Sequence, residues 1–234
     1  MQALILAGGK GTRLRPFTTN IPKPLVPIDD MPILEIVLRQ LKHHGFNEIT
    51  LAINHLADLF VAFFKDGKKL DLNINYSIED HQLGTAGPLS IANLTSENFL
   101  LMNGDILTTL NYKDLYSYHI ENRNDVTIAV HKKEIKIDLG VLKIEGGRLT
   151  DYIEKPQYFF DVSMGIYVMH RRIIESIPHN QRMEMPELIL KLKKEGRQIG
   201  CYYNDHYWLD IGRMEDYEIA NNIFQGKREE FLPR

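Results

Sequence analysis

The chain has 234 residues, 44% of them hydrophobic and 25% charged, which suits one large globular core, and its formal charge of -3 carries no basic excess to draw it to nucleic acid or an anionic membrane. Cys201 is the only cysteine, so an intramolecular disulfide and a cysteine-rich zinc site are excluded and a reducing cytoplasm fits. The apolar start, Met1 to Ala7, is too short for a signal peptide and nothing approaches about eighteen consecutive apolar residues, so a soluble cytoplasmic chain without a membrane partner is expected.

Ala3 to Ala7 reads as a buried strand feeding Gly8-Gly9, and Lys10 to Pro32 as a long loop without regular structure, a length that usually serves function. The spacing of Ile33, Leu34, Ile36, Val37, Leu38 and Leu41 predicts a helix stopped at His44-Gly45. Strands at 48–53 and 72–78 flank a helix at 56–64, which sets a βαβ rhythm. A short helix over 88–94 leads to a strand at 99–102 that stops at Asn103-Gly104-Asp105 and places a carboxylate at a strand's C-terminal end, where open parallel sheets bind ligands.

A helix at 112–121 and a strand at 126–130 follow. Strands at 139–144, 148–153 and 162–169 then come in quick succession, an antiparallel excursion. Helices at 185–195 and 215–224 flank a last strand at 199–203. With no repeat, low-complexity tract or linker, the expected fold is a single α/β domain over 1–234. Its Rossmann-like sheet is mixed, mainly parallel and flanked by helices, with a small antiparallel excursion.

The loop Gly8-Gly9-Lys10-Gly11-Thr12-Arg13-Leu14 lets backbone N–H groups approach phosphate oxygens. It lacks the GxxxxGK[ST] spacing, and Leu14 stands where a dinucleotide fingerprint needs its third glycine. Arg13, Arg15 and Lys23 supply cations that suit a polyphosphate; a plain turn in a solvated loop is the alternative. Asp105 and Asp210 each adjoin a glycine in a predicted turn, and read either as hard oxygen ligands for Mg²⁺ or as turn caps. The histidines show no ligand spacing such as HExxH, His43-His44 sits at a helix C-terminus, and Cys201 alternates with apolar neighbours as a core residue would. The aromatic cluster of Tyr202, Tyr203, Tyr207 and Trp208 is expected to pack around the last strand rather than stack on a ligand.

Five stretches resemble, in order, the motifs of the sugar-1-phosphate nucleotidylyltransferases, especially the GDP-mannose pyrophosphorylase-like members. They are Leu6 to Pro16 with Pro22-Lys23-Pro24-Leu25, Leu83-Gly84-Thr85-Ala86-Gly87-Pro88-Leu89, Asn103-Gly104-Asp105, Glu154-Lys155-Pro156, and Trp208-Leu209-Asp210-Ile211-Gly212. The resemblance implies a nucleotide-binding part over about 1–110, a sugar-binding part over about 111–212 and a C-terminal helix over about 215–225.

It further implies that Leu6, Ala7, Gly8, Gly9, Gly11 and Thr12 form the nucleotide loop, that Arg13 and Lys23 contact the NTP phosphates, and that Gln82, Gly84 and Thr85 lie beside the base. Asp105 and Asp210 would hold Mg²⁺. Gly104, Gly140, Glu154, Lys155 and Ser163 would line the sugar phosphate pocket, with Lys155 aligning the attacking phosphate; Ser163 stands where the family usually has Asn. The implied reaction is in-line attack by a sugar 1-phosphate on an NTP. GTP with a mannose or heptose 1-phosphate is favoured, and UTP, CTP or dTTP is the alternative. A homo-oligomer is compatible, and a non-catalytic nucleotide-sugar sensor is the reading from another class. A dinucleotide-dependent oxidoreductase would need an acidic residue where Asn54 stands.

Overall fold

In the computed structural model, which describes residues 1–9, 11–203 and 205–232, the first apolar run forms β1 (Gln2–Leu6) inside a sheet. Ala3, Leu4 and Ile5 are fully buried, as the unbroken apolar run of a strand covered on both faces requires. The segment from Gly11 to Pro32 is more regular than a bare loop. It makes three one-turn 3-10 helices (Thr12–Leu14, Phe17–Thr19, Lys23–Leu25) and a short hairpin, β2 (Pro27–Ile28) with β3 (Met31–Pro32). Leu14, Val26 and Ile28 anchor it in a local core, which gives the segment the burial that its polar and proline-rich composition hides.

Then follow α1 (Ile33–His43), β4 (Glu48–Ile53), α2 (Ala57–Phe64), β5 (Asn73–Ile78), β6 (Asn98–Asn103), β7 (Ile106–Thr108), α3 (Tyr112–Glu121) and β8 (Val126–Lys136). The last part holds β9 (Val141–Glu145), β10 (Arg148–Ile153), β11 (Gln157–His170), α4 (Met185–Lys194), β12 (Ile199–Tyr203), β13 (Trp208–Asp210) and α5 (Met214–Phe231). The helix expected at 88–94 is a single 3-10 turn, Gly87–Ser90.

Among the described residues the main sheet has seven strands in the order β12-β8-β11-β6-β1-β4-β5. Only β11 runs antiparallel to its neighbours. The chain builds outward from β1 through β4 to β5, then returns to place β6 on the other side of β1, so the topological switch lies between β1 and β6. Ligands of open α/β sheets sit at the carboxyl ends of such a strand pair.

The expected excursion is present, with a different partition. β9 and β10 form their own antiparallel ribbon, while β11 is much longer than the strand expected at 162–169 and pairs with an extended β8. Side chains alternate across β1: Ala3 and Ile5 pack with α1, α2 and α3, and Leu4 faces the layer containing α4. Cys201 is exposed, against the core position expected for it. It lies on β12, an edge strand, where Ile199 still reaches the α4-side core but Cys201 and Tyr203 on the same face do not.

Gln40, on the apolar face of α1, is buried and fully partnered. Its Nε2 donates to the carbonyls of Thr108 (2.7 Å) and Phe231 (2.9 Å), and its Oε1 accepts from the Tyr112 hydroxyl (3.1 Å). One amide thereby joins α1, β7, α3 and the end of α5.

His119 of α3 is buried between Thr127 Oγ1, 2.9 Å from Nδ1, and Asn98 Oδ1, 3.1 Å from Nε2. Asn98 Oδ1 can only accept, so Nε2 carries the proton and Nδ1 accepts from the Thr127 hydroxyl, which is a neutral ring. Burial pushes its pKa from 6.5 down to about 4. Between those values the unfolded chain takes up a proton that the folded one refuses. Stability at this site is therefore complete above pH 6.5 and declines as the pH falls towards 4, by up to about 3 kcal/mol. Urea denaturation of wild type and His119→Gln at neutral and acidic pH checks this: the wild type should lose more stability on acidification, and equal losses would refute the assignment.

Candidate active site

The carboxyl ends of β1 and β6 carry Leu6-Ala7-Gly8-Gly9 and Asn103-Gly104-Asp105. Gly104 N–H donates to Leu6 O (2.9 Å), and a Cβ on Gly104 would come within 3.2 Å of that oxygen and of Ile5 Cγ2, so glycine lets the two strand ends lie against each other. Gly11 has φ +59°, a left-handed conformation, and a Cβ there would meet Lys23 Cβ at 2.8 Å. The glycine thus brings the lysine segment under the loop.

Asp105 and Asp210 meet through a two-stranded ribbon. β7, which begins just after Asp105, pairs antiparallel with β13, placing Asp210 opposite Ile106, and Ile211 N–H donates to Asp105 O (3.2 Å). Lys23 Nζ forms an ion pair and hydrogen bond with Asp105 Oδ2. Burial raises the pKa of Asp210 and the nearby Asp105 charge raises it further, while Lys23 and Arg13 act in the opposite direction. Arg13 is near enough that a Cβ on Gly212 would lie 3.4 Å from its Nη1.

Two cavities adjoin this cluster and share Leu6, Thr85 and Asn103. The first, of about 310 Å³, is lined by Gly8, Gly9, Glu79, Gln82, Gly84, Thr85 and Asp105, with Arg182 and Glu184 at its side. The second, of about 290 Å³, is lined by Ser163, Met164, Gly165, Tyr167, Met185, Pro186, Trp208 and Asp210. The carboxylate pair thus spans the junction, one Asp on each cavity.

Gly84 (φ +78°) leaves no room for a side chain, since a Cβ would come within 2.6 Å of Met183 O. Thr85 fastens the same loop to the start of α4: its hydroxyl donates to Glu184 Oε2 (3.0 Å) and accepts from Met185 N–H (2.7 Å). Burial alone would raise the Glu184 pKa, but hydrogen bonds from Arg182 and Thr85 outweigh it and hold it below the usual carboxylate range.

Ser163 lies on the second cavity at an irregularity in β11, with its hydroxyl donating to Tyr167 Oη (3.0 Å) and accepting from Gly165 N–H (3.2 Å). Trp208 packs as expected, against His131 and with Nε1 donating to Met164 O (2.9 Å), but it also lines this cavity.

Ala7, Gly11, Thr12, Arg13, Lys23 and Gly104 line neither cavity. Gly140, Glu154 and Lys155 line neither cavity; Glu154 and Lys155 are exposed at the end of β10, where Glu154 accepts from the Tyr152 hydroxyl (3.2 Å). Lys10 lies outside the described residues.

The sequence reading missed Glu79, Asn103, Arg182 and Glu184. Glu79 carried a usable signal, since it follows β5 at its carboxyl end. Arg182 and Glu184 carried none, because they reach the first cavity only through the backbone pairing of Met183 between them with Leu83, Ala86 and Gly87.

A glycine loop, paired carboxylates and a buried lysine at the switch point of a doubly wound sheet define a nucleotide-handling α/β protein. Residues 2–226 match the family model described as Nucleotidyl transferase, and the chain belongs to that family. It is 34% identical to the mannose-1-phosphate guanyltransferase beta-B of Xenopus laevis, over 93% of this chain and 62% of that protein. It is 32% identical to the UTP–glucose-1-phosphate uridylyltransferase of Synechocystis, over 93% of this chain and 61% of that one. The chain therefore spans about three fifths of the length of these relatives. The crystal structure of HddC from Yersinia pseudotuberculosis complexed with GMP-PN superimposes with a TM-score of 0.74 at 28% identity, covering 95% of this chain and 99% of that one. No helix among the described residues is long and apolar enough to cross a membrane.

Proposed function

We propose that this chain transfers the nucleoside monophosphate of an NTP, by preference GTP, to mannose 1-phosphate or a heptose 1-phosphate and releases pyrophosphate. The observation that carries the reading is the Asp105–Asp210 pair, set beside Lys23 where two cavities meet. The guanyltransferase relative and the GMP-PN complex support GTP; the uridylyltransferase relative is the reason UTP belongs in the test.

The donor set suits Mg²⁺. Two carboxylates offer hard oxygen ligands, and the pKa of Asp210 is raised first by burial and then by the charge of Asp105, a like-charge repulsion that a divalent cation would relieve. When bound, the ion would neutralise charge on the transferring and departing phosphates.

The phosphate oxygen of the sugar 1-phosphate is already anionic, so no side chain needs to act as nucleophile. That oxygen forms a bond to the α-phosphorus as the bond to the pyrophosphate oxygen breaks, and no proton is transferred. Lys23 and Arg13 stabilise negative charge on the phosphates, the Gly8-Gly9 backbone admits them, and Gln82, Gly84 and Thr85 flank the base. The roles of Lys155 in aligning the attacking phosphate, of Glu154 in receiving sugar hydroxyls and of Gly140 and Ser163 in shaping that subsite rest on the family resemblance; of the four, Ser163 alone lines a cavity. Pyrophosphate release across a matrix of GTP, UTP, CTP and dTTP against mannose, heptose and glucose 1-phosphates tests the reading. Turnover should be highest with GTP and mannose or heptose 1-phosphate, and no release with any pair would overturn it.

A further inference from the structure

From Lys132 to Asp161 the chain leaves the core. Over those residues only Pro156 is buried, and no side chain enters any of the three buried clusters. The segment comprises the outer half of β8, the β9–β10 ribbon and the first part of β11. Its composition is not that of a solvated loop. Within the ribbon Leu142 stands opposite Tyr152 and Ile144 opposite Leu149, and residues directly opposite on an antiparallel pair share a face. A register shift between Leu149 and Asp151 brings Leu149 and Tyr152, three residues apart, onto that one face. All four are between 49% and 60% exposed. The other face is charged: Lys143 pairs with Asp151 (2.9 Å), and Arg148 stands opposite Glu145. Two strands alone are marginal in water, and an exposed apolar face of this kind marks a surface that another body covers.

We propose that this face packs against the same face of a second copy of the chain, so that two ribbons meet about a two-fold axis. Charge selects that partner. Between 132 and 161 six basic and six acidic residues balance, so the arm has no net field to draw it to anionic lipid, nucleic acid or an oppositely charged protein. A neutral surface with an apolar centre and both signs at its margin is complementary to itself, as a two-fold contact requires. The ion pairs Lys143–Asp151 and Lys136–Glu134 are closed within the arm, so neither needs a partner from the other copy when the apolar faces meet.

The contact also reaches the end of the ribbon. Tyr152, a member of the apolar face, donates its hydroxyl to Glu154 (3.2 Å), so packing that holds Tyr152 would steady the segment that carries Glu154 and Lys155. Self-association itself does not depend on the reaction proposed above.

Sedimentation velocity of the full chain from about 1 to 100 µM tests the proposal, a range in which contacts of ordinary affinity become populated. The wild type should approach twice the 27.1 kDa of the chain at the upper end. Ile144→Lys combined with Leu149→Lys should weaken association at least about 100-fold with an unchanged melting temperature, because both side chains are exposed in the single chain. Glu145→Gln, on the opposite face, should leave the affinity within about threefold. Hydrogen exchange of the wild type locates the contact without any variant: amides of 141–153 should gain protection as concentration rises. A chain that stays monomeric throughout overturns the proposal, whether it remains free or floats with vesicles of phosphatidylserine and phosphatidylcholine. A dimer whose ribbon gains no protection with concentration, or that survives the double lysine substitution, forms elsewhere and overturns it equally.

Discussion

Asp210→Asn is expected to lower kcat by a factor of about a thousand or more while leaving the melting temperature at or above that of the wild type. The carboxylate lies beside Asp105, and its raised pKa shows that the fold disfavours the charge it carries. An amide of the same shape removes that repulsion, so stability is not lost, but it is a poorer ligand for a hard cation. Asp105→Asn should be equally inactive and should also release Lys23 from its ion pair. A readout independent of turnover follows: Mg²⁺ with GTP should raise the melting temperature of the wild type and scarcely affect either variant. Full activity of both variants with Mg²⁺ would sink the metal assignment.

Gln40→Ala is expected to cost about 3–5 kcal/mol without touching the cavities. Three groups lose their partner together, the carbonyls of Thr108 and Phe231 and the Tyr112 hydroxyl, and the removed side chain leaves a void beside α1. For a chain of this size the loss corresponds to a fall in melting temperature of about 10 °C. Gln40→Leu restores volume but not the hydrogen bonds and should recover only part of it. A melting temperature unchanged by Gln40→Ala would show that water replaces the amide at little cost.

The βαβ alternation, the burial of β1 and the placement of Asp105 at a strand end were legible because parallel strands must be apolar throughout and must end where the chain turns. Helix 112–121 and strand 199–203 appear with the expected boundaries. Local pattern misled where burial depends on distant residues. Cys201 has apolar neighbours in sequence but lies past the reach of the α4 layer, and the turns of the Gly11–Pro32 segment are held by α5 and β7 side chains that only folding supplies. At the site, Gly8, Gly9, Thr85, Asp105 and Asp210 were legible from motifs and do converge on the two cavities, whereas Arg182 and Glu184 arrive through pairing with the Leu83 loop. Gly140, Glu154 and Lys155 were named by resemblance alone, and their excursion leaves them outside both cavities.

The β7–β13 ribbon has a consequence for the order in which the molecule is made. β12 is the last strand of the main sheet, and it precedes β13, so the whole sheet can pair before Asp210 has any neighbour to meet. A nascent chain emerging only that far would carry a complete scaffold and half of its carboxylate pair. Closing a ribbon between segments so distant in sequence costs loop-closure entropy before its contacts form. Competence to bind a divalent cation would then report that synthesis and folding have both passed β13, and an incomplete chain would hold nucleotide, if at all, without being able to spend it.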